Sequence, residues 1–594
     1  MAFISPRPLN LNIRNTMSQK LEKLLLDLDE SHEKTSEHAI SSQINEVTSD
    51  DQNTDAVAER IAFSFCEDYA DKNTGWGTYF GPIMVWTGDD GQIYEDPSLS
   101  LVSKEIINYW INRAAETNNH LMKARYLGLI WDFSKKTLST HPKHKVAIQY
   151  IKSLIEVCDQ DLLKHSVEAI TKITRAYKVA SSLNEAKLVK KCIQSAINLE
   201  ERIAEDDEAG SWGFCFELFV LGRCEYLPDK KKNQLIADLE ARFSRASLDQ
   251  SLWVCESAGI PLATYYRREN KPDDVKRVIE LVGNCFESSC KGLPAMQVSA
   301  QYQRAHDIYI SFNLKENAKN VSKKISEIGP DLVESMQKIS YGMKISMDEL
   351  DSYLNAMTNG GLETTLKRIA ITFTPQKDQV KRQVLDLAKK NPISYHVTKI
   401  LQDHKGRPVA TIGGIAEDLE GNIIHQLSQN MSINSFFLRH SFKKLTKTYR
   451  VNAKDLTEFI LQSSIFEETK REIIQSGVEA FLKEDYISAI HVLMPQAESA
   501  IRALVEVMGG AILSRNKQGG FQLRTFGDLL RDETVKQCFG DNLSFYFRIL
   551  LTDQRGWNMR NNVCHGISPA NAFSYSMADR IMHIMLCLAQ VREK

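Results

Sequence analysis

Residues 558–566 read NMRNNVCHG and set a guanidinium, a carboxamide and an imidazole within six positions, as Arg560, Asn561 and His565. Imidazole takes up and releases a proton near neutral pH, so it can serve as base or acid. A guanidinium offers forked donors to phosphoryl or carboxylate oxygens. Together they suit a reaction in which charge develops on a phosphate. Asn558 is placed to cap a short helix and Gly566 to end it. In that helix Met559 and Val563 face inward, while Asn561 and His565 lie one above the other on another face. Arg560 is adjacent and long enough to reach the same spot. Ser568-Pro569 reads as the cap and first residue of a closing helix.

The elements that must position these groups begin near Glu472, from which the chain reads as a unit of four to five helices. Ile487, Ile490, Leu493, Met494, Ala497, Ile501 and Leu504 keep a helical period. On that helix Glu498 and Arg502 share a face and are expected to pair beneath the motif. SRNKQGGFQLRTFGD reads as a glycine-rich loop, LSFYFRILL as the next helix, and MADRIMHIMLCLAQV as the last. His491 and His583 read as ordinary packed or surface histidines. From pattern alone, the motif is either a structural corner or a site; both readings stay open.

Arg-Asn-x-x-x-His-Gly, present as RNNVCHG, resembles the signature of HEPN-superfamily domains, whose nuclease members carry Arg, a polar residue and then His. The upstream LMPQAESAIR resembles the Pro-x-x-Glu-x-x-x-Arg helix of one HEPN-like family. WGTYFGP, YW, ARY and WDF resemble a domain found ahead of it in bacterial proteins. The likeness covers 470–594 and, more loosely, 55–135. It implies an endoribonuclease that needs no metal and no cofactor. His565 would move a proton as a ribose 2′-hydroxyl attacks the adjacent phosphate, leaving a 2′,3′-cyclic phosphate and a 5′-hydroxyl. Arg560 would stabilise the phosphoryl charge, and Asn561 would orient the imidazole or the phosphate. Glu498, Arg502, Arg555 and Asn558 would support these groups or bind substrate. DNA, lacking the 2′-hydroxyl, would be excluded. The family also implies RNA as partner, a homodimer through the C-terminal domain, and a defence or toxin effector answering to a regulatory protein or phage-derived trigger.

Upstream, Tyr177, Leu221, Tyr265 and Tyr309 recur every 44 positions, and the charged runs EAKLVKK, DKKKNQL, DDVKRVI and NAKNVSK follow them. The pattern of helix, polar turn and helix suits stacked hairpins, because one hairpin cannot bury its apolar face alone; an irregular bundle is the alternative. The expected fold class is mainly α: an N-terminal helical segment, α-solenoid-like hairpin repeats, a small β-hairpin insertion and a C-terminal HEPN-like bundle. The expected segments are 1–56 (helix and flexible linker, polar from 29 onward), 57–135 (helical domain with Trp110, Tyr126 and Trp131 in its core), 136–345 (repeats), 346–470 (connecting helices with a hairpin near 395–413) and 471–594 (bundle). Within 76–86 the aromatic stretch reads as core, with a turn at Asp89–Gly91.

Charge and cysteine usage narrow the function classes. The chain of 594 residues carries net charge −2, and segment 471–594 is about +1 from 14 basic and 13 acidic residues, so no broad nucleic-acid surface is expected. No apolar run approaches the ~20 residues of a membrane span, and no membrane partner is expected. The N-terminus lacks the apolar core of a signal peptide. Eleven scattered cysteines without a Cys-x-x-Cys pair argue against zinc and suit a reducing cytoplasm. No Walker or dinucleotide loop supports a nucleotide sensor. A non-catalytic scaffold that dimerises through the HEPN-like domain is the rival to the enzyme.

Overall fold

The computed structural model describes residues 18–592 other than 32, 70–76, 88–91, 338–341 and 343. Side-chain caps start many of its helices. Ser18 and Ser36 accept from the amides of Leu21 and Ala39, Asn119 from those of Leu121 and Met122, and Asn452 closes a capping box with Asp455. Each satisfies amides that a helix start leaves without a carbonyl. The described residues are mainly helical with three two-stranded antiparallel hairpins. They form two compact units, one ending at Lys323 and one beginning at Lys324, where five segments were expected.

In the first unit and at its end, the four charged runs open the helices Ala186–Ile203, Asp229–Leu248, Pro272–Ser288 and Lys315–Glu327. The preceding turn has one design. Asn184, Arg223, Asn270 and Asn313 adopt left-handed backbone. The next amide then returns to the carbonyl five residues back: Glu185 to Ala180, Cys224 to Phe219, Lys271 to Tyr266, Leu314 to Tyr309. This arrangement satisfies the carbonyls at a helix end. Leu221 departs from its counterparts, since it ends a π-helical turn, Phe216–Leu221.

Three expectations for this unit are corrected. Residues 29–56 are not a flexible linker, because Glu37–Thr48 is a helix burying Ile40 and Ile44. A two-residue apolar stripe was masked by polar neighbours, and Glu37 pins the helix through ion pairs with Arg125 and Lys172. Trp110 and Tyr126 are in the core, but Trp131 is only half-buried and Phe133 takes its place. In the aromatic stretch Phe80 is buried, whereas Ile83, Met84, Val85 and Trp86 are exposed. The last three belong to a hairpin, Met84–Thr87 with Ile93–Asp96. Trp76 and the Asp89–Gly91 turn lie outside the described residues.

In the second unit the last helix, Tyr575–Leu588, is buried at every position from Ala578 to Leu588. Eight of these eleven residues are apolar, and such a helix must be covered on all sides. One core therefore runs from Met357 through Ala589 and crosses the boundary expected at 470. The residues of 346–470 are walls of the bundle rather than connectors. Arg580 Nη2 donates to the Met431 carbonyl at 2.9 Å, and Trp557 Nε1 to the Ser428 carbonyl at 3.3 Å. The expected hairpin spans Lys399–Gln402 and Pro408–Ile412. Its turn residue Gly406 has φ +73°, and a Cβ there would meet the Gly329 carbonyl oxygen at 2.2 Å, so glycine is required on both counts. The stretch expected as a glycine-rich loop is a third hairpin, Leu513–Arg515 with Phe521–Leu523. Alternation over three residues is too short to register as a strand pattern.

His583 sits wholly inside this core. A carbonyl only accepts, so Nε2 donates to Ala370 at 3.1 Å and Nδ1 accepts from the Tyr546 hydroxyl at 2.9 Å. Burial, with Arg580 nearby, pushes the ring down to about 3. The unfolded ring binds a proton below about 6.5 and the folded one does not. This ring therefore withdraws stability as pH falls from 6.5 towards 3, by about 2 kcal/mol between pH 7 and pH 5. Burial raises Asp579, one turn earlier, to about 7 against the pull of Arg439, which gives a slope of opposite sign. Comparing His583→Gln with the parent isolates the imidazole. The variant is expected to lose less stability between pH 7 and pH 5, read by urea denaturation, and an unchanged slope would refute the assignment.

Candidate active site

The motif lies on a short helix, Met559–Cys564, which follows the helical segment Glu533–Leu551, broken at Gly540, and precedes the last helix along the chain. Met559 and Val563 are buried, as their spacing predicts. Gly566, at φ +65°, closes the helix. Its amide returns to Val563 at 3.0 Å and that of Ile567 to Asn562 at 2.8 Å, the paired bonds of a glycine-ended helix. Asn558 occupies the N-cap position but makes no side-chain cap bond. It is itself left-handed, with φ 50°, a conformation asparagine tolerates. Its carboxamide serves the motif instead: Oδ1 accepts from Asn561 Nδ2 at 2.8 Å.

Arg560 is fixed from two sides. Its Nε donates to Glu498 Oε2 at 3.0 Å, and Nη1 to Asn561 Oδ1 at 3.3 Å. The other Glu498 oxygen accepts from Arg502 Nη2 at 2.6 Å, and Arg502 Nη1 reaches the Arg524 carbonyl at 2.9 Å. One carboxylate thus bridges two guanidiniums and leaves the trio with net charge +1. Arg560 Nη2 has no partner among the described residues. Asn561 bonds Arg560, Asn558 and the Thr552 carbonyl, so in this structure it orients the guanidinium rather than the imidazole. The His565 side chain is exposed and has no hydrogen-bond partner among the described residues.

Arg560, Asn561 and His565 line one open groove of about 620 Å³ together with Asn558 and Arg502. The run 523–527, Arg531, Thr552, Gln554 and Ile567 complete the lining. Among the described residues none of the lining side chains is acidic. Nothing local in the sequence marks Arg524 and Arg531; only the chain fold brings them into one groove with the motif. Arg555 is not brought in. It does not line the groove; Asp553 accepts from it at 3.1 Å, with Glu420 at 3.4 Å and Asp418 at 3.7 Å. Arg548 is likewise paired, with Glu420 at 2.5 Å. His491 stacks on Phe573.

No group of three or more His, Cys, Asp or Glu among the described residues is placed to hold a metal ion. None of their helices is long and apolar enough to cross a membrane. Comparison with protein-family models and with curated protein sequences returns no match.

Proposed function

We propose that the chain is a metal-independent endoribonuclease of the HEPN type. The observation that carries this reading is a guanidinium and an imidazole lining the same open, acid-free groove, the guanidinium held by Glu498 and Asn561. A phosphodiester in that groove would meet the free Nη2 of Arg560 as charge builds on its non-bridging oxygens. The ribose 2′-oxygen attacks the adjacent phosphorus, the bond to the 5′-oxygen breaks, and a 2′,3′-cyclic phosphate and a 5′-hydroxyl result. His565 takes the 2′-hydroxyl proton or supplies one to the departing 5′-oxygen. One imidazole does not fill both roles at once, so a second copy of the chain brings the other, through a homodimer of the C-terminal unit. In this reading the helical hairpins of 136–345 regulate a cytoplasmic defence or toxin effector by binding its trigger.

Glu498 is a positioning residue in this scheme. Glu498→Gln is expected to lower turnover by up to ~100-fold, the scale of a small misplacement, with RNA affinity unchanged. Glu498→Asp is expected to restore part of the loss. Equal rates in all three forms would remove the role. The reading as a whole is tested on purified full-length protein incubated with total RNA and a chelator, with the ends of the products mapped. Cleavage leaving 2′,3′-cyclic phosphates supports it. Intact RNA under every condition, from a protein that still dimerises, favours the scaffold.

A further inference from the structure

Beside the groove stands the hairpin Leu513–Arg515 with Phe521–Leu523, in which Leu513 faces Leu523 and Arg515 faces Phe521. Directly opposed residues of an antiparallel pair, and residues two apart on one strand, share a face. Leu513, Arg515, Phe521 and Leu523 therefore form one face, and Ser514 and Gln522 the other. Leu523 lines the groove, so this face continues the groove outward. It is bare: Phe521 is 72% exposed, Leu523 55% and Leu513 50%. The hairpin is also anchored. Arg524 Nη1 binds the Ala511 carbonyl at 2.8 Å and Asp532 at 2.6 Å. Asn516 Oδ1 holds the turn through the amides of Gln518 and Gly520.

An anchored aromatic face flanked by cations fits a nucleic-acid strand, whose bases stack and whose phosphates are anionic. Arg515 belongs to this face, Lys517 to the hairpin turn, and Arg524 and Arg531 line the groove with Leu523; only Arg524 of the four has a carboxylate partner among the described residues. These cations complement an anionic strand, which favours RNA as the occupant. We propose that this face is the entry platform for a single strand of RNA, with Phe521 stacking a base and Arg515 meeting the backbone. It rests on the ribonuclease reading and adds a binding subsite outside the reacting centre.

The test uses full-length protein carrying His565→Ala, so that the probe is not cut, and a fluorescent twelve-nucleotide oligouridylate read by anisotropy. Phe521→Ala is expected to raise Kd ~10-fold, within the range for loss of one base stack. Phe521→Trp should keep the affinity. Phe521→Leu, apolar but without a π face, should lose it as alanine does. Arg515→Ala should flatten the dependence of log K on log salt by about 0.7. The proposal is overturned if the parent does not bind the probe, if Phe521→Ala binds as tightly as the parent, or if Phe521→Ala turns a dimer into a monomer in sedimentation, since a second copy would then cover the face. Cleavage that needs Arg560 and His565 while affinity ignores Phe521 removes the platform and keeps the ribonuclease. Binding that depends on Phe521 without cleavage by the parent chain does the reverse.

Discussion

Alanine at His565 is expected to cut the rate of RNA cleavage by ~10²–10⁴-fold, the usual share of a positioned acid or base. Alanine at Arg560 is expected to cost ~10²–10³-fold, the scale of removing one donor from a developing oxyanion. The double variant should be about as slow as the slower single one, because the groups act as a unit. Neither change should unfold the chain. His565 is exposed and its side chain makes no hydrogen bond among the described residues. When Arg560 is removed, Glu498 keeps its bond to Arg502 at 2.6 Å. Initial rates on a labelled RNA, with chelator present and circular dichroism as the folding control, decide the matter. A parental rate in either variant would end the assignment of that residue.

Removing Glu37 is expected to destabilise the first unit by roughly 3–5 kcal/mol, the loss when a buried ion pair is left half-made. Its two oxygens meet Arg125 at 2.9 Å and Lys172 at 2.6 Å. The side chains of these cations are only 1% and 3% exposed, and their remaining carboxylate, Glu67, lies 3.5 Å and 2.8 Å away. Burial pushes the Glu37 carboxyl up, and Arg125 and Lys172 together bring it below its ordinary value. Its contribution is therefore present at neutral pH and lost as pH falls through that lowered value. Since two units need not unfold together, the measurement is hydrogen exchange in the helices His120–Leu138 and Ser166–Ser182. Glu37→Ala should lose protection there while the last helix keeps it. Replacing Glu37 and Lys172 together by methionine should be milder than Glu37→Ala, because fewer cations are left stranded. Unchanged protection in Glu37→Ala would show the pairs to be idle.

The motif was legible because its information is local. Met559 and Val563 fall on one face by helical spacing, and Gly566 ends the helix by its backbone freedom. The i, i+4 spacing of Glu498 and Arg502 likewise foretold their ion pair. Other features were hidden for physical reasons. Glu37–Thr48 looked like linker because two isoleucines among polar residues are a faint periodic signal, while the partners that hold it lie 88 and 135 positions away. The hairpin Leu513–Leu523 reads as a loop in the sequence because its strands are too short to alternate visibly. Arg555 looked free because nothing local marks Asp418 and Glu420 as its neighbours.

Composition and periodicity alone settled that this is a mainly helical chain, and spacing alone placed Arg560 and Asn561 on one short helix with His565 at its C-terminal end, since backbone geometry over a few residues depends on little else. Long-range packing decided the remainder. It brought the run 523–527 and Arg531 into one groove with the motif, tied Arg560 to a glutamate 62 residues earlier, and merged 346–470 with the terminal bundle, because a helix buried on every side is enclosed by whichever segments the chain can bring to it.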